Sequence, residues 1–115
     1  MRQPIISPFL QPRPIWVPNV DVFVAPSGEL IICLELSGIQ AGDFNVAFEG
    51  NKLRVTGNRA SSGVATAQRV LVHEINAGPF ETVLDIPSEF DLQRASSGFV
   101  NGTLRIEAPK SPAAS

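Results

Sequence analysis

The segment running from Phe99 to Lys110 limits the fold more than any other stretch of the chain. Asn101-Gly102 is a dipeptide that tolerates positive φ at both centres of a two-residue type I′ turn. Phe99 and Val100 precede it. Leu104 and Ile106 follow at period two, with Arg105 and Glu107 on the other face. Pro109 ends the run, because it has no N–H to give to a ladder. The segment reads as a hairpin whose last strand, with one buried face, closes a β domain.

The rest of the chain fits the same class. It has 115 residues, the size of one domain with a real core. Ten Pro and nine Gly imply many turns, which suits short strands better than helices. Val20, Val22 and Val24 alternate with polar or outward positions, and Pro26-Ser27-Gly28 makes the turn that follows. Leu30 to Leu36 is apolar on nearly both faces. Leu30, Ile32, Leu34 and Leu36 face inward, and Ile31 and Cys33 imply that the outer face is also partly covered.

Phe44, Val46 and Phe48 alternate, Gly50-Asn51 makes a second hairpin turn, and Leu53 and Val55 answer with Gly57 at the strand end. Residues 60–67 are small and polar. Gln68 to Ile75 is β-prone, and Phe80 to Ile86 continues as a strand up to Pro87. Residues 88–98 read as a polar crossing loop anchored by Phe90 and Leu92. Seven or eight short strands and no convincing helix predict an all-β, immunoglobulin-like two-sheet β-sandwich.

Composition excludes several function classes. Net charge is −2, so there is no electrostatic case for nucleic acid or an anionic membrane surface. No apolar run approaches the ~20 residues of a membrane helix. Cys33 is the only cysteine, so no internal disulfide can form; a soluble protein of the reducing cytoplasm is expected. Cys33 and His73 are the only nucleophile–base combination, and Cys33 reads as a small hydrophobe packed in a strand. No catalytic residues, no metal site and no cofactor are expected.

Residues 1–17 form a Pro-rich arm that still carries Ile5, Ile6, Phe9, Leu10, Ile15 and Trp16. Such an arm packs on its own domain or contacts another subunit or a client; the residues leave both open.

An ordered set of short motifs resembles the α-crystallin domain of small heat-shock proteins across about Trp16 to Lys110. The set comprises Trp16-x-Pro18-x-x-Asp21, Leu34-x-x-Ser37-Gly38, Leu53-x-x-x-Gly57-x-Arg59, Glu74-x-x-x-Gly78-x-Phe80, Ile86-Pro87, and Asn101-Gly102-x-Leu104 with Pro109-Lys110. The resemblance divides the chain into an arm (1–17), an α-crystallin domain (18–110) and a short tail (111–115). It implies an ATP-independent chaperone, a holdase that binds unfolding client proteins through apolar surfaces and is not an enzyme.

The client groove it implies lies between the Phe44–Phe48 strand and the last hairpin, at Val46, Phe48, Phe99, Leu104 and Ile106; the alternative is that Val46, Phe48, Leu104 and Ile106 are simply core. It also implies a homodimer by strand exchange. An extra short strand at Val64, Ala65 and Thr66 would pair with the partner's Val20 and Val22, covering an edge otherwise prone to aggregation; the alternative is a flexible loop, which Ser61-Ser62-Gly63 would also produce.

There are departures from the family pattern. Thr82 stands where the family usually has an arginine that makes ion pairs at the dimer interface, so the dimer is expected to be held differently. Ile75 replaces another frequent arginine. Residues 111–115 carry no Ile/Val-x-Ile/Val motif, which implies a dimer or small oligomer rather than a large shell. Ile15-Trp16-Val17 has the missing spacing. It would dock in a neighbour's groove, or Trp16 would pack on its own first strand. Two other readings stay open: a p23-like adaptor or co-chaperone module acting on one folded partner, and a family member with a purely structural role.

Overall fold

The computed structural model describes residues 15–112. Seven strands lie among them: β1 (Val20–Val24), β2 (Leu30–Glu35), β3 (Phe44–Glu49), β4 (Lys52–Arg59), β5 (Gly78–Asp85), β6 (Ser96–Val100) and β7 (Thr103–Ala108). They form two antiparallel sheets, one in the order β1-β2-β7-β6 and the other β3-β4-β5. This is the expected two-sheet sandwich.

The alternation of the strands sets what meets between the sheets. From the four-stranded sheet come Leu30, Ile32 and Leu34 of β2 and Leu104, Ile106 and Ala108 of β7, all buried. From the three-stranded sheet come Leu53 and Val55 of β4 and Phe80 of β5. Phe90 and Leu92 plug one end from the β5–β6 connection, as their apolar character in a polar loop predicted. That connection is shorter than expected, because β6 already begins at Ser96. Ile31 is buried although it points to the outer face. Its register neighbours are Phe23 of β1 and Glu107 of β7.

The closing hairpin forms as read. Val100 pairs with Thr103, and Asn101 and Gly102 both take positive φ, 53° and 78°. Asn101 is the one non-glycine with positive φ among the described residues. The turn is also tied across the sheet, since the Leu36 N–H donates to the Gly102 carbonyl at 2.6 Å.

β4 does not end at Gly57 but runs on to Arg59. Gly57 acts instead as a gap in the side-chain layer. A Cβ there would lie 2.5 Å from Phe80 Cζ and 2.6 Å from the Asp43 carbonyl oxygen. The Phe80 ring occupies that space. Beside it, Thr82 is buried and faces inward in register with Val55. Its hydroxyl makes no hydrogen bond to another described residue.

Residues 60–77 contain no strand, so Gln68–Ile75 does not pair despite its β-prone composition. β5, which begins just after it, pairs with β4 on one side and, among the described residues, is bridged only by Trp16 on the other, and residues 68–75 turn away without adding a rung there.

Candidate functional site

Two apolar surfaces stand out, and each has a structural cause. The first is β1. It pairs on one side with β2, from Val20↔Leu34 to Val24↔Leu30, and its other edge carries no described strand. The facing sheet has three strands against four, and β1 packs on the fold through β2. Val22 and Val24 therefore stay exposed on the core-facing side, and Phe23 is exposed on the other. Val20 is half-buried. A bare edge with valines on it is an open template for another strand.

The second surface is the arm formed by residues 68–75. Val70, Leu71, Val72 and Ile75 are exposed, Leu71 at 80%. These eight residues make no hydrogen bond to any other described residue. The arm ends at a fixed point. Arg59 Nε donates to the Asn76 carbonyl at 2.8 Å, and Arg59 Nη1 donates to the Ser37 carbonyl at 3.1 Å.

Val64, Ala65 and Thr66 were expected to form the extra strand of this loop. They form a 3-10 turn instead. Gly63 enters it with φ 112°, and the Thr66 and Ala67 N–H groups donate back to the Gly63 and Val64 carbonyls. Those donors are used locally, so in the single chain the unbonded stretch is 68–75, which bends at Gln68, Leu71 and Ile75. The signal for it was present in the sequence as the alternation Val70, Val72 against Leu71, His73 and Ile75.

The groove residues separate into two groups. Leu104 and Ile106 are core, exposed at 2% and 0%, because their face of β7 points between the sheets. They do not line a groove. Val46 and Phe99 are half-buried against the core, and Phe48 is 37% exposed. These three lie where the edge strands β3 and β6 of the two sheets approach each other. Phe44 and Phe99 close one end of that mouth, with ring centroids 5.0 Å apart. It is a half-buried apolar strip.

Of the N-terminal residues, Ile5, Ile6, Phe9 and Leu10 lie outside the described residues. Ile15 and Val17 are exposed. Trp16 packs inward, but on β5 rather than on the first strand. It forms a parallel bridge to Phe80, with ring centroids 5.2 Å apart. The first strand belongs to the other sheet, whereas Phe80 and Gly78 of β5 offer a ring and a carbonyl.

Charged groups sit singly or in surface pairs. Lys52 pairs with Asp85 at 2.6 Å, and Arg54 bridges Glu81 and Glu49 across the outer face of the three-stranded sheet. The Glu81 hydrogen bond and the Glu49 charge push Arg54 above its usual range. Arg105 is raised likewise by its hydrogen bond to Glu107, and its guanidinium lies 3.8 Å from the half-buried Cys33 Sγ. Among the described residues no group of three or more His, Cys, Asp or Glu side chains could hold a metal ion. No described helix is long and apolar enough to cross a membrane. What the geometry offers is apolar surface and a free sheet edge.

Comparison with known proteins agrees with this geometry. The model of the Hsp20/alpha crystallin family matches residues 25–115. The solved structure of hspA from Xanthomonas axonopodis is similar, with 27% identity and a TM-score of 0.75, covering 84% of this chain and 96% of that one. A small heat-shock protein from Xylella fastidiosa, described as having a distinct high order structure, gives 25% and 0.76 over 87% and 91% of the two chains. Heat shock protein 16.0 from Schizosaccharomyces pombe gives 25% and 0.75, covering 92% and 76%. Spore protein SP21 of Stigmatella aurantiaca (strain DW4/3-1) is 26% identical over 102 residues, 89% of this chain. The chain spans 60% of that curated relative's length.

Proposed function

We propose that this chain, which belongs to the Hsp20/alpha crystallin family of small heat-shock chaperones, holds unfolding proteins without ATP. Members of this family are chaperones and not enzymes, so function rests on surface rather than on chemistry. The observation that carries the proposal is the amount of aliphatic surface outside the core. Val22, Val24, Val70, Leu71, Val72 and Ile75 are all at least 46% exposed. Such surface binds partially unfolded chains, and mass action then lowers the free concentration of aggregating species.

The same surface supports a homodimer, which covers it until the dimer opens and clients can reach it. The arm 68–75 is β-prone, exposed and without a partner strand within its own chain, while β1 presents a bare edge. Exchange of the arm onto the partner's β1 would satisfy both. The arm, rather than the Val64–Thr66 turn, is the exchanging segment in this proposal. With Thr82 buried in the core, the interface is apolar and backbone-bonded rather than built on an ion pair at that position. Clients would then meet the strip at Val46, Phe48 and Phe99 as extended segments laid along a sheet edge. The lone, half-buried thiol of Cys33 fits a reducing, cytoplasmic setting.

The test is light scattering from a heat-unfolding client protein, with and without this protein, in the absence of ATP. Suppression at near-stoichiometric ratios is expected. Undiminished aggregation in the presence of the folded protein would contradict the holding function.

A further inference from the structure

Trp16 is held at the meeting point of three segments that are far apart in sequence. Its Nε1–H donates to the Gly78 carbonyl at 3.1 Å. Its backbone N–H donates to the Pro79 carbonyl at 3.4 Å, and its carbonyl accepts from the Glu81 N–H at 3.2 Å. On one side the indole packs on Phe80. Over the ring lies the Arg59 guanidinium, with Cζ 4.3 Å from its centroid. The same guanidinium donates to the Asn76 and Ser37 carbonyls, so the arginine that clamps the indole also fixes the end of the loop 60–77.

The attachment is local. Of the two backbone bonds, the one from Glu81 is at the long end of the usual range and the one to Pro79 lies beyond it. The next rung of a parallel ladder would be a donation from residue 18 to the Glu81 carbonyl, and residue 18 is Pro. Ile15 and Val17 bury little. On its other side β5 pairs with β4 along its whole length, from Lys52↔Asp85 to Arg59↔Gly78. A segment held at one residue beside a strand held at eight opens separately from it, since local openings follow local contacts.

We propose that the Trp16 segment is a releasable strap over the edge of β5, with Arg59 coupling its docking to the root of the loop 60–77. When closed, the strap covers Phe80 and occupies the Pro79 carbonyl and Glu81 N–H. When open, it uncovers a phenyl ring beside a donor and an acceptor on a sheet edge. The guanidinium fork sets where the cation sits. Whatever moves the Asn76 or Ser37 carbonyls therefore loosens the indole, and losing the indole frees the fork. Every contact of the strap lies within one chain, so it forms in monomer and dimer alike as long as the Asn76 and Ser37 carbonyls keep their places on Arg59.

The chain contains one Trp and no Tyr, so its emission above that of Phe reports the strap alone. The experiment is a thermal ramp that follows Trp emission and acrylamide quenching beside far-UV circular dichroism, at high and low protein concentration. Emission is expected to shift red and quenching to rise several degrees below the dichroism transition, at a temperature independent of concentration. Arg59→Lys keeps a cation near the ring but loses the planar fork. It is expected to lower the strap transition while the dichroism transition moves less, and Arg59→Ala to lower it further. Coincident transitions in the wild-type protein, a strap transition that moves with concentration, or an Arg59→Lys strap transition equal to wild type would each overturn the proposal. Arg59→Lys carries the test if Arg59→Ala does not fold.

Discussion

Two stretches of this chain have much the same composition and opposite fates. Leu30–Leu36 and Val70–Ile75 are both rich in aliphatic residues, and either would be read as a strand. The first is buried nearly throughout. The second is exposed throughout. The difference lies in their neighbours. β2 has β1 on one side and β7 on the other, so its backbone is bonded on both sides within the chain and its inner face is sealed between the sheets. Residues 68–75 have no strand beside them. Strand propensity describes a surface that suits a pleated neighbour; it does not supply the neighbour. An apolar stretch left over when all internal pairings are made is surface intended for another chain.

The contrast can be broken most strongly from the buried side. Ile32→Ala removes a side chain that is 0% exposed and should cost about 2–5 kcal/mol in urea unfolding. Leu71→Ala, at 80% exposure, should leave the unfolding of a dilute, undimerised chain within about 0.5 kcal/mol of wild type. Similar losses at the two sites would mean that the arm is packed on its own chain.

Adding an atom to the buried region should also be felt. The Cβ of Gly57→Ala would fall 2.5 Å from Phe80 Cζ and 2.6 Å from backbone oxygen. The overpacking should cost about 1–3 kcal/mol, checked by thermal unfolding. An unaffected protein would show that Phe80 can leave its place freely.

On the exposed side, Leu71→Asp should weaken the dimer and not the fold. The dissociation constant measured by sedimentation should rise at least about tenfold, about 1.4 kcal/mol, with the circular dichroism spectrum of the monomer unchanged. The smallest of these effects has the opposite sign. Thr82→Val replaces a buried hydroxyl that bonds to no described residue, and should raise stability by about 1 kcal/mol in chemical denaturation. A loss there would mean that the hydroxyl finds a partner when the protein assembles.

The sandwich was legible in the sequence because local and long-range demands agree along most of the chain. Asn101-Gly102 asks for a left-handed turn, and the register Val100↔Thr103 needs one. Phe90 and Leu92 stand alone as apolar residues in a polar connection, and both are buried. The candidate site was legible only in kind. Period two shows that Val46, Phe48, Leu104 and Ile106 each share a face with their strand neighbours, but not that the β7 face is sealed while the β3 face is half open. That depends on which strands lie at a sheet edge.

The missed features depend on contacts across the chain. Gly57 looks like a strand terminator until Phe80 is seen in the space a side chain would take. Trp16 finds Phe80 and Arg59 across sequence separations that no short motif encodes. Residues 64–66 form a turn because Gly63 adopts a left-handed conformation that neither its neighbours nor its own presence requires.

The central claim is that the arm 68–75 and the β1 edge cover each other between two chains. Amide hydrogen exchange of residues 68–75 and 20–24, followed as the protein is diluted, tests it most directly. The account predicts that both stretches are protected together at high concentration and lose protection together at the concentration where the dimer dissociates. Protection in one stretch without the other, or an arm that exchanges freely at every concentration at which the protein is dimeric, would contradict it.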